Sequence, residues 1–188
     1  MQIEQILNNI YPLPEEALQK LCAAVDEVAV SKGTILMRPD RVEQYIYFIK
    51  EGVVRAYYVF DEGEITFWFG EEGETVLSMR SYVEQNKSYE HIELLEDCLL
   101  YRIHIATLKE LYQKDIDIAN WGRTLAEKEL LKAEHRMIFR EMFSAKQRYE
   151  KLMQEQSSLL MRVPLKYIAS YLGITQVSLS RIRGQKAR

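Results

Sequence analysis

The spacing of apolar residues changes period at Ile105, and this change constrains the fold more than any other feature of the chain. Upstream, aromatic and β-branched residues come in short runs. These are Val28 and Val30, Thr34 to Met37, Tyr45 to Ile49, Val53 to Phe60, Ile65 to Phe69, Ser88 to Ile92 and Leu99 to Ile103. Turn signals separate them, among them Lys32-Gly33, Pro39-Asp40, Glu51-Gly52, Asp61-Glu62-Gly63-Glu64 and Gly70-Glu71-Glu72-Gly73. Short strands at intervals of roughly 8–12 residues predict an antiparallel sandwich or barrel. One amphipathic helix, Pro14 to Val25, precedes it, with Leu18, Leu21, Cys22 and Val25 at helical spacing.

Downstream the period is helical. Leu108, Leu111 and Tyr112 share one face, and a proline-free stretch runs from Asp115 to Met142. Within it Ala119, Gly122, Ala126, Leu130, Ala133 and Met137 cover 18 residues in five steps, a straight helical stripe. Trp121, Leu125, Ile138 and Met142 form a neighbouring stripe. Such a helix is expected either to form the seam of a homodimer or to pack against its own chain. Ser144 then starts a further helix, with Gln147 three residues on completing a capping-box pattern. The expected segments are 1–114, a β-roll; 115–143, a dimerisation helix; and 144–188, a small helical domain.

The run Pro164-Leu165-Lys166-Tyr167-Ile168-Ala169-Ser170-Tyr171-Leu172-Gly173-Ile174-Thr175-Gln176-Val177-Ser178-Leu179-Ser180-Arg181-Ile182-Arg183 reads as a helix-turn-helix. Pro164 suits a first helical turn, and Gly173 suits the positive φ just past a helix end. Ile168, Ala169, Leu172, Leu179 and Ile182 form the inner side, Ile174 fills the turn, and Thr175 is placed to cap the second helix. Gln176, Ser178 and Arg181 fall on its outer face, where a plain helical hairpin needs no such polar groups. They are residue types that bind bases or phosphates of double-stranded DNA.

Charge follows the same division. From Ser144 to Arg188 there are nine basic and two acidic residues, a net +7, in a chain whose total is −3. A basic module on an acidic body suits a polyanionic partner, or a merely solvated basic surface.

The order of segments, and particular residues within them, resembles the Crp/Fnr family of transcription regulators in the variant common in Bacteroidetes. Lys32-Gly33-Thr34 and Phe48-Ile49-Lys50-Glu51-Gly52-Val53-Val54-Arg55 resemble the first turns of its cyclic-nucleotide-binding β-roll, a jelly roll. Leu94-Leu95-Glu96-Asp97-Cys98 resembles its closing strand pair. The resemblance implies an α+β fold: an N-terminal roll with flanking helices, a long dimer helix and a C-terminal helix-turn-helix. It implies a homodimeric DNA-binding regulator working with RNA polymerase. Gln176, Val177 and Arg181 then read bases; Thr175, Ser178, Lys166 and Arg183 complete the DNA surface. Ala119, Gly122, Ala126, Leu130, Ala133 and Met137 form the dimer interface.

The chain departs from that pattern. The family's phosphate-clamping arginine falls on Ser88 and its Gly-Glu pair on Ser78-Met79, with Arg80 and Lys87 out of register and Glu84 and Glu90 adding negative charge. Cyclic AMP binding is therefore not expected, and the effector is open. The chain stops five residues after Arg183, so no complete wing is expected. The alternative is a ligand-sensing or scaffold dimer without sequence-specific DNA binding.

Other chemistry is set aside. Charged residues at 28% and hydrophobic ones at 47% describe an ordinary folded chain. No apolar run is long enough to span a bilayer, and Met1-Gln2-Ile3-Glu4-Gln5 shows no signal peptide. Two cysteines imply no disulfide framework, so a cytoplasmic protein is expected. His91, His104 and His135 form no metal-ligand pattern; no catalytic motif, metal or cofactor is expected. Tyr57-Tyr58 and Phe67-Trp68-Phe69 could line an apolar pocket or be ordinary core.

Overall fold

The computed structural model describes residues 1–186, so Arg188, counted in the basic stretch, lies outside the described residues. Helices α1 (Ile3–Ile10) and α2 (Glu15–Ala23) precede the strands. The strands are β1 (Asp26–Val30), β2 (Ile35–Met37), β3 (Tyr45–Glu51), β4 (Val54–Phe60), β5 (Gly63–Gly70), β6 (Thr75–Val76), β7 (His91–Leu94) and β8 (Cys98–His104). A short helix α3 (Met79–Glu84) lies between β6 and β7. Then follow α4 (Ile105–Lys114), α5 (Ile116–Met142), α6 (Ala145–Glu155), α7 (Leu159–Arg162), α8 (Leu165–Tyr171) and α9 (Gln176–Lys186).

The strands form two antiparallel sheets, ordered β1-β8-β3-β6 and β2-β7-β4-β5. Strand β3 shows why they stack. Its side chains alternate between faces. Ile46 and Phe48 join a core with Leu7, Leu21, Leu108 and Trp121 from the helices. Tyr47 and Ile49 join Val54, Ile92, Leu94 and Leu100 between the two sheets. Strand β3 is thus buried on both sides, and burying each such side chain contributes about 1.5–3 kcal/mol. The outer face of the second sheet, with Val53 and Phe69, packs against Leu152, Ile168 and Leu172 of the C-terminal helices.

Several elements differ from the sequence expectation: β6, α3 and α7 were not expected, and two further differences concern an expected strand and the first helix. The strand expected over 88–92 begins only at His91, because the Ser88 hydroxyl accepts the Glu90 N–H at 3.1 Å and holds a local turn. Helix α1 also precedes the expected first helix, burying Ile6, Leu7 and Ile10.

Helix α5 is capped by Asp115, whose carboxylate accepts the N–H groups of Asp117 and Ile118. Its first turns are interior: Ile118, Trp121 and Leu125 are buried, and Trp121 Nε1 donates to the Leu7 carbonyl at 2.9 Å. This corrects the expected interface at one position. Gly122 is buried, and a Cβ there would run into the Tyr112 ring of α4. It therefore serves packing within the chain. Ala119 is half-buried, whereas Ala126, Leu130, Ala133 and Met137 are exposed, Leu130 at 71% and Met137 at 60%. No helix among the described residues is long and apolar enough to cross a membrane.

Candidate functional site

Helices α8 and α9 make a tight pair. The chain leaves α8 through Gly173 at φ +67, where Ile174 N–H reaches back to the Ala169 carbonyl at 3.0 Å. Arg148 of α6 holds that corner, donating through Nε and Nη2 to the Leu172 carbonyl at 3.0 and 2.8 Å. It also donates to the Phe143 carbonyl, and so joins the end of α5 to the end of α8. Thr175 Oγ accepts the Ser178 N–H at 3.2 Å at the start of α9. Ile168, Ala169, Leu172 and Leu179 are buried between the helices, and Ile174 is half-buried.

The outer face is free. Thr175, Gln176, Val177, Arg181 and Arg183 are exposed, and so is Lys166 on α8, its ammonium 4.5 Å from the Tyr167 ring centroid. Ser178 is half-buried, its hydroxyl 3.0 Å from that of Thr175. Two of the nine basic residues in the C-terminal stretch turn inward instead, Arg148 as above and Arg162 as follows.

The helix pair sits directly on the roll. Arg162 Nη2 lies 2.7 Å from Glu72 and 2.7 Å from Glu96. Its hydrogen bonds hold the Glu72 carboxyl down at about 2, against the effect of burial. Arg55 of β4 is 2% exposed and stacked between two rings, 4.1 Å from the Tyr57 centroid and 3.5 Å from that of Tyr167 in α8. Burial opposes its charge, but Glu64 at 2.7 Å and Glu93 at 2.8 Å outweigh this and raise its pKa. Ser170 Oγ accepts the Thr66 N–H of β5 at 2.9 Å.

Within the roll, a cavity of about 120 Å³ lies among Ala56, Trp68, Met79, Tyr89, Glu90 and Arg136. Ser88 is buried but does not line it, whereas Glu90, 5% exposed, does. Glu84 does not reach it; it is exposed and paired with Arg80 at 3.4 Å, which corrects its expected place in the pocket. Lys87 is exposed as well.

A second cavity, of about 590 Å³, lies between β5, α5, α6 and α8. Of the Phe67-Trp68-Phe69 run only Phe69 is buried; Trp68 is half-buried and lines both cavities. Gly70 makes this possible, because a Cβ there would occupy the place of the Trp68 ring. Arg136 also lines both cavities, a role no motif in the sequence marks. The signal was its place one helical turn before Phe139 and two before Phe143.

The histidines stand apart. His104 Nδ1 accepts the Ala106 N–H at the start of α4, and His91 stacks on Tyr57 at 4.9 Å. Among the described residues no three His, Cys, Asp or Glu side chains gather as metal ligands.

Residues 27–115 match the cyclic nucleotide-binding domain family. No curated protein matches the chain. Among solved structures, FixK2 of Bradyrhizobium japonicum is 20% identical with a TM-score of 0.75, covering 86% of this chain and 83% of that one. The c-di-GMP-responsive global regulator CLP of Xanthomonas campestris is 16% identical with a TM-score of 0.73, covering 93% and 92%. A protein of Eubacterium rectale, described as a transcriptional regulator of the Crp/Fnr family, is 21% identical with a TM-score of 0.70, covering 93% and 85%. The fold is thus that of a cyclic nucleotide-binding roll followed by helices, as in regulators of the Crp/Fnr type.

Proposed function

We propose that this chain is a DNA-binding transcription regulator of the Crp/Fnr type, acting as a homodimer on a palindromic operator, with RNA polymerase as a downstream partner. The observation that carries the reading is the tight α8–α9 pair, whose inner residues are buried while Gln176, Val177, Arg181 and Arg183 remain uncovered. A helix presented in this way fits the major groove. Arg181 suits paired hydrogen bonds to guanine, Gln176 suits adenine, and Val177 offers apolar contact to a thymine methyl. Thr175, Ser178, Lys166 and Arg183 suit phosphates and set docking.

The exposed half of the α5 stripe, Ala126, Leu130, Ala133 and Met137, supports a seam between two copies, with Ala119 at its edge. A dimer presents two recognition helices to half-sites about 34–36 Å apart. The roll is a domain of the cyclic nucleotide-binding family that does not take cyclic AMP. Its inner cavity of about 120 Å³ is below the usual range of about 300–1,000 Å³ for ligand pockets, and it carries the buried Glu90 where a phosphate would meet negative charge.

The test is selection of bound fragments from genomic DNA, followed by Arg181→Ala on the selected operator. That substitution is expected to cost about 1–3 kcal/mol and to relax sequence choice at one base pair per half-site. Equal affinity and selectivity for variant and wild type would remove α9 from the groove. Absence of any enriched sequence would favour a ligand-sensing dimer without sequence-specific DNA binding.

A further inference from the structure

The cavity of about 590 Å³ outside the roll's nucleotide-like pocket is within the size range of small-molecule sites. It has an aromatic floor and a charged rim. Trp68 and Phe69 come from β5, Phe139 from α5, Phe143 from the residue that follows it, and Tyr171 from α8. Tyr171 stacks on Phe139 at 5.9 Å and meets Phe69 edge-on at 5.3 Å, so the floor is continuous.

The lining of this cavity carries three cations, Lys132, Arg136 and Lys151, and two acids, Glu74 and Glu155. Lys132 is neutralised by Glu74 at 2.7 Å and Glu129 at 3.0 Å. Arg136 has no hydrogen-bond or ion-pair partner among the described residues, and it lines both this cavity and the inner one. Burial pushes the Tyr171 phenol up, and the Arg136 charge partly offsets that. Lys151 of α6 is likewise without a carboxylate and rests 4.4 Å from the Phe143 ring centroid. The other acid of the lining is Glu155, and Glu90 and Glu129 line the adjoining inner cavity with Arg136.

A half-buried guanidinium beside an aromatic floor pairs well with a carboxylate, sulfonate or phosphate, because charge-assisted hydrogen bonds strengthen where water is excluded. We propose that this cavity is an effector site for a small organic anion, its aromatic body lying on Phe139 and Tyr171 and its acid group held by Arg136. The site lies where the roll, the long helix and the C-terminal helices meet. An occupant there touches all three. This inference does not depend on the DNA reading.

The test uses the full chain and 8-anilinonaphthalene-1-sulfonate, an aromatic anion whose emission rises in apolar surroundings. One saturable site per chain is expected. Arg136→Gln should weaken it about tenfold or more, the loss of a hydrogen bond to a charged group, and Lys151→Gln should weaken it less. The uncharged analogue N-phenyl-1-naphthylamine should bind Arg136→Gln within about twofold of wild type. Phe139→Ala should weaken both probes, and it tests the site should Arg136→Gln not fold by circular dichroism. The proposal is overturned if the anion binds Arg136→Gln and Phe139→Ala as it binds wild type. It is equally overturned if Leu130→Ala, on the exposed α5 stripe, abolishes the signal in their place.

Discussion

Arg162 grips Glu72 with both ends of its guanidinium, Nη2 at 2.7 Å from one carboxylate oxygen and Nη1 at 2.9 Å from the other. Glu72 lies in the β5–β6 turn and Arg162 ends α7, so the pair fastens the helical unit to the roll across 90 residues of sequence. Arg162→Met should lower stability by about 2 kcal/mol, as expected for hydrogen bonds to charged groups, with part of this screened because both side chains reach solvent. The pH dependence has a definite sign. The Glu72 carboxyl titrates at about 2 in the fold, below the ordinary glutamate value of about 4.3. Its contribution is therefore complete above that ordinary value and is lost as pH falls towards 2. The gap in melting temperature between wild type and Arg162→Met should be constant above about pH 5 and close as pH falls through this window. A gap that is the same at pH 3 and pH 7 would refute the assignment.

Gly122 gives a prediction of unusual sign. In an exposed helix, Gly→Ala stabilises by about 1 kcal/mol. Here the added methyl would meet the Tyr112 ring, whose hydroxyl is 3.1 Å from that of Tyr82. Gly122→Ala should destabilise by about 1–3 kcal/mol, the cost of overpacking a filled core. Urea unfolding measures it, and Tyr112→Leu in the same chain should recover most of the loss by opening the space.

The exposed half of the stripe separates association from folding. Leu130→Asp adds a charge at a position 71% exposed in the single chain. It should leave the unfolding midpoint of the isolated chain within about 0.5 kcal/mol, as is usual for surface changes. It should nevertheless convert a dimer to a species of 22.2 kDa in light scattering. A wild-type protein that already scatters at that mass at micromolar concentration would rule out the seam.

Local pattern carried a good deal of this. The other strand runs, the capping box at Ser144 and the inward set Ile168, Ala169, Leu172 and Leu179, with Ile182 half-buried, follow from neighbours within a few residues and are present, while the run over 88–92 is a strand only from His91. Strand β6, two residues long, and the six-residue α3 are too short to leave a period. Tertiary partners were the harder limit. Arg148 and Arg162 read as part of a basic surface until the carbonyl of Leu172 and the carboxylates of Glu72 and Glu96 are brought to them from 24, 90 and 66 residues away. Gly122 fits a small-residue seam as well as it fits a close approach to Tyr112. Only the fold of α4 onto α5 chooses between them.

Cyclic AMP and cyclic GMP should give no saturable heat by calorimetry at millimolar nucleotide. Placing an arginine at Ser88 alone should not confer binding. In Ser88→Arg the new side chain replaces a residue 3% exposed whose hydroxyl orders the Glu90 backbone, and Glu90 still lines the cavity. Glu90→Gln with Ser88→Arg removes that charge as well, and any recovered nucleotide binding should appear only in the double variant. Binding by wild type would place the phosphate on Arg136 or another cation.

On the proposed DNA reading, Lys166 separates docking from base reading. It is exposed at the start of α8, over the Tyr167 ring whose other neighbour is the buried Arg55. Its stem is thereby steadied without an ion pair that would consume its charge. A lysine of this kind neutralises a backbone phosphate and releases a counterion, which depends on no base. Lys166→Ala should weaken binding to selected and unselected DNA by the same factor. It should lower the slope of log affinity against log salt by about one per subunit. Arg181→Ala should do the opposite, narrowing the ratio between selected and unselected DNA with a smaller change in slope. Titrations of both variants at three salt concentrations distinguish the two roles. If Lys166→Ala left the slope unchanged while altering sequence choice, the orientation of α8 and α9 on the duplex would have to be reversed.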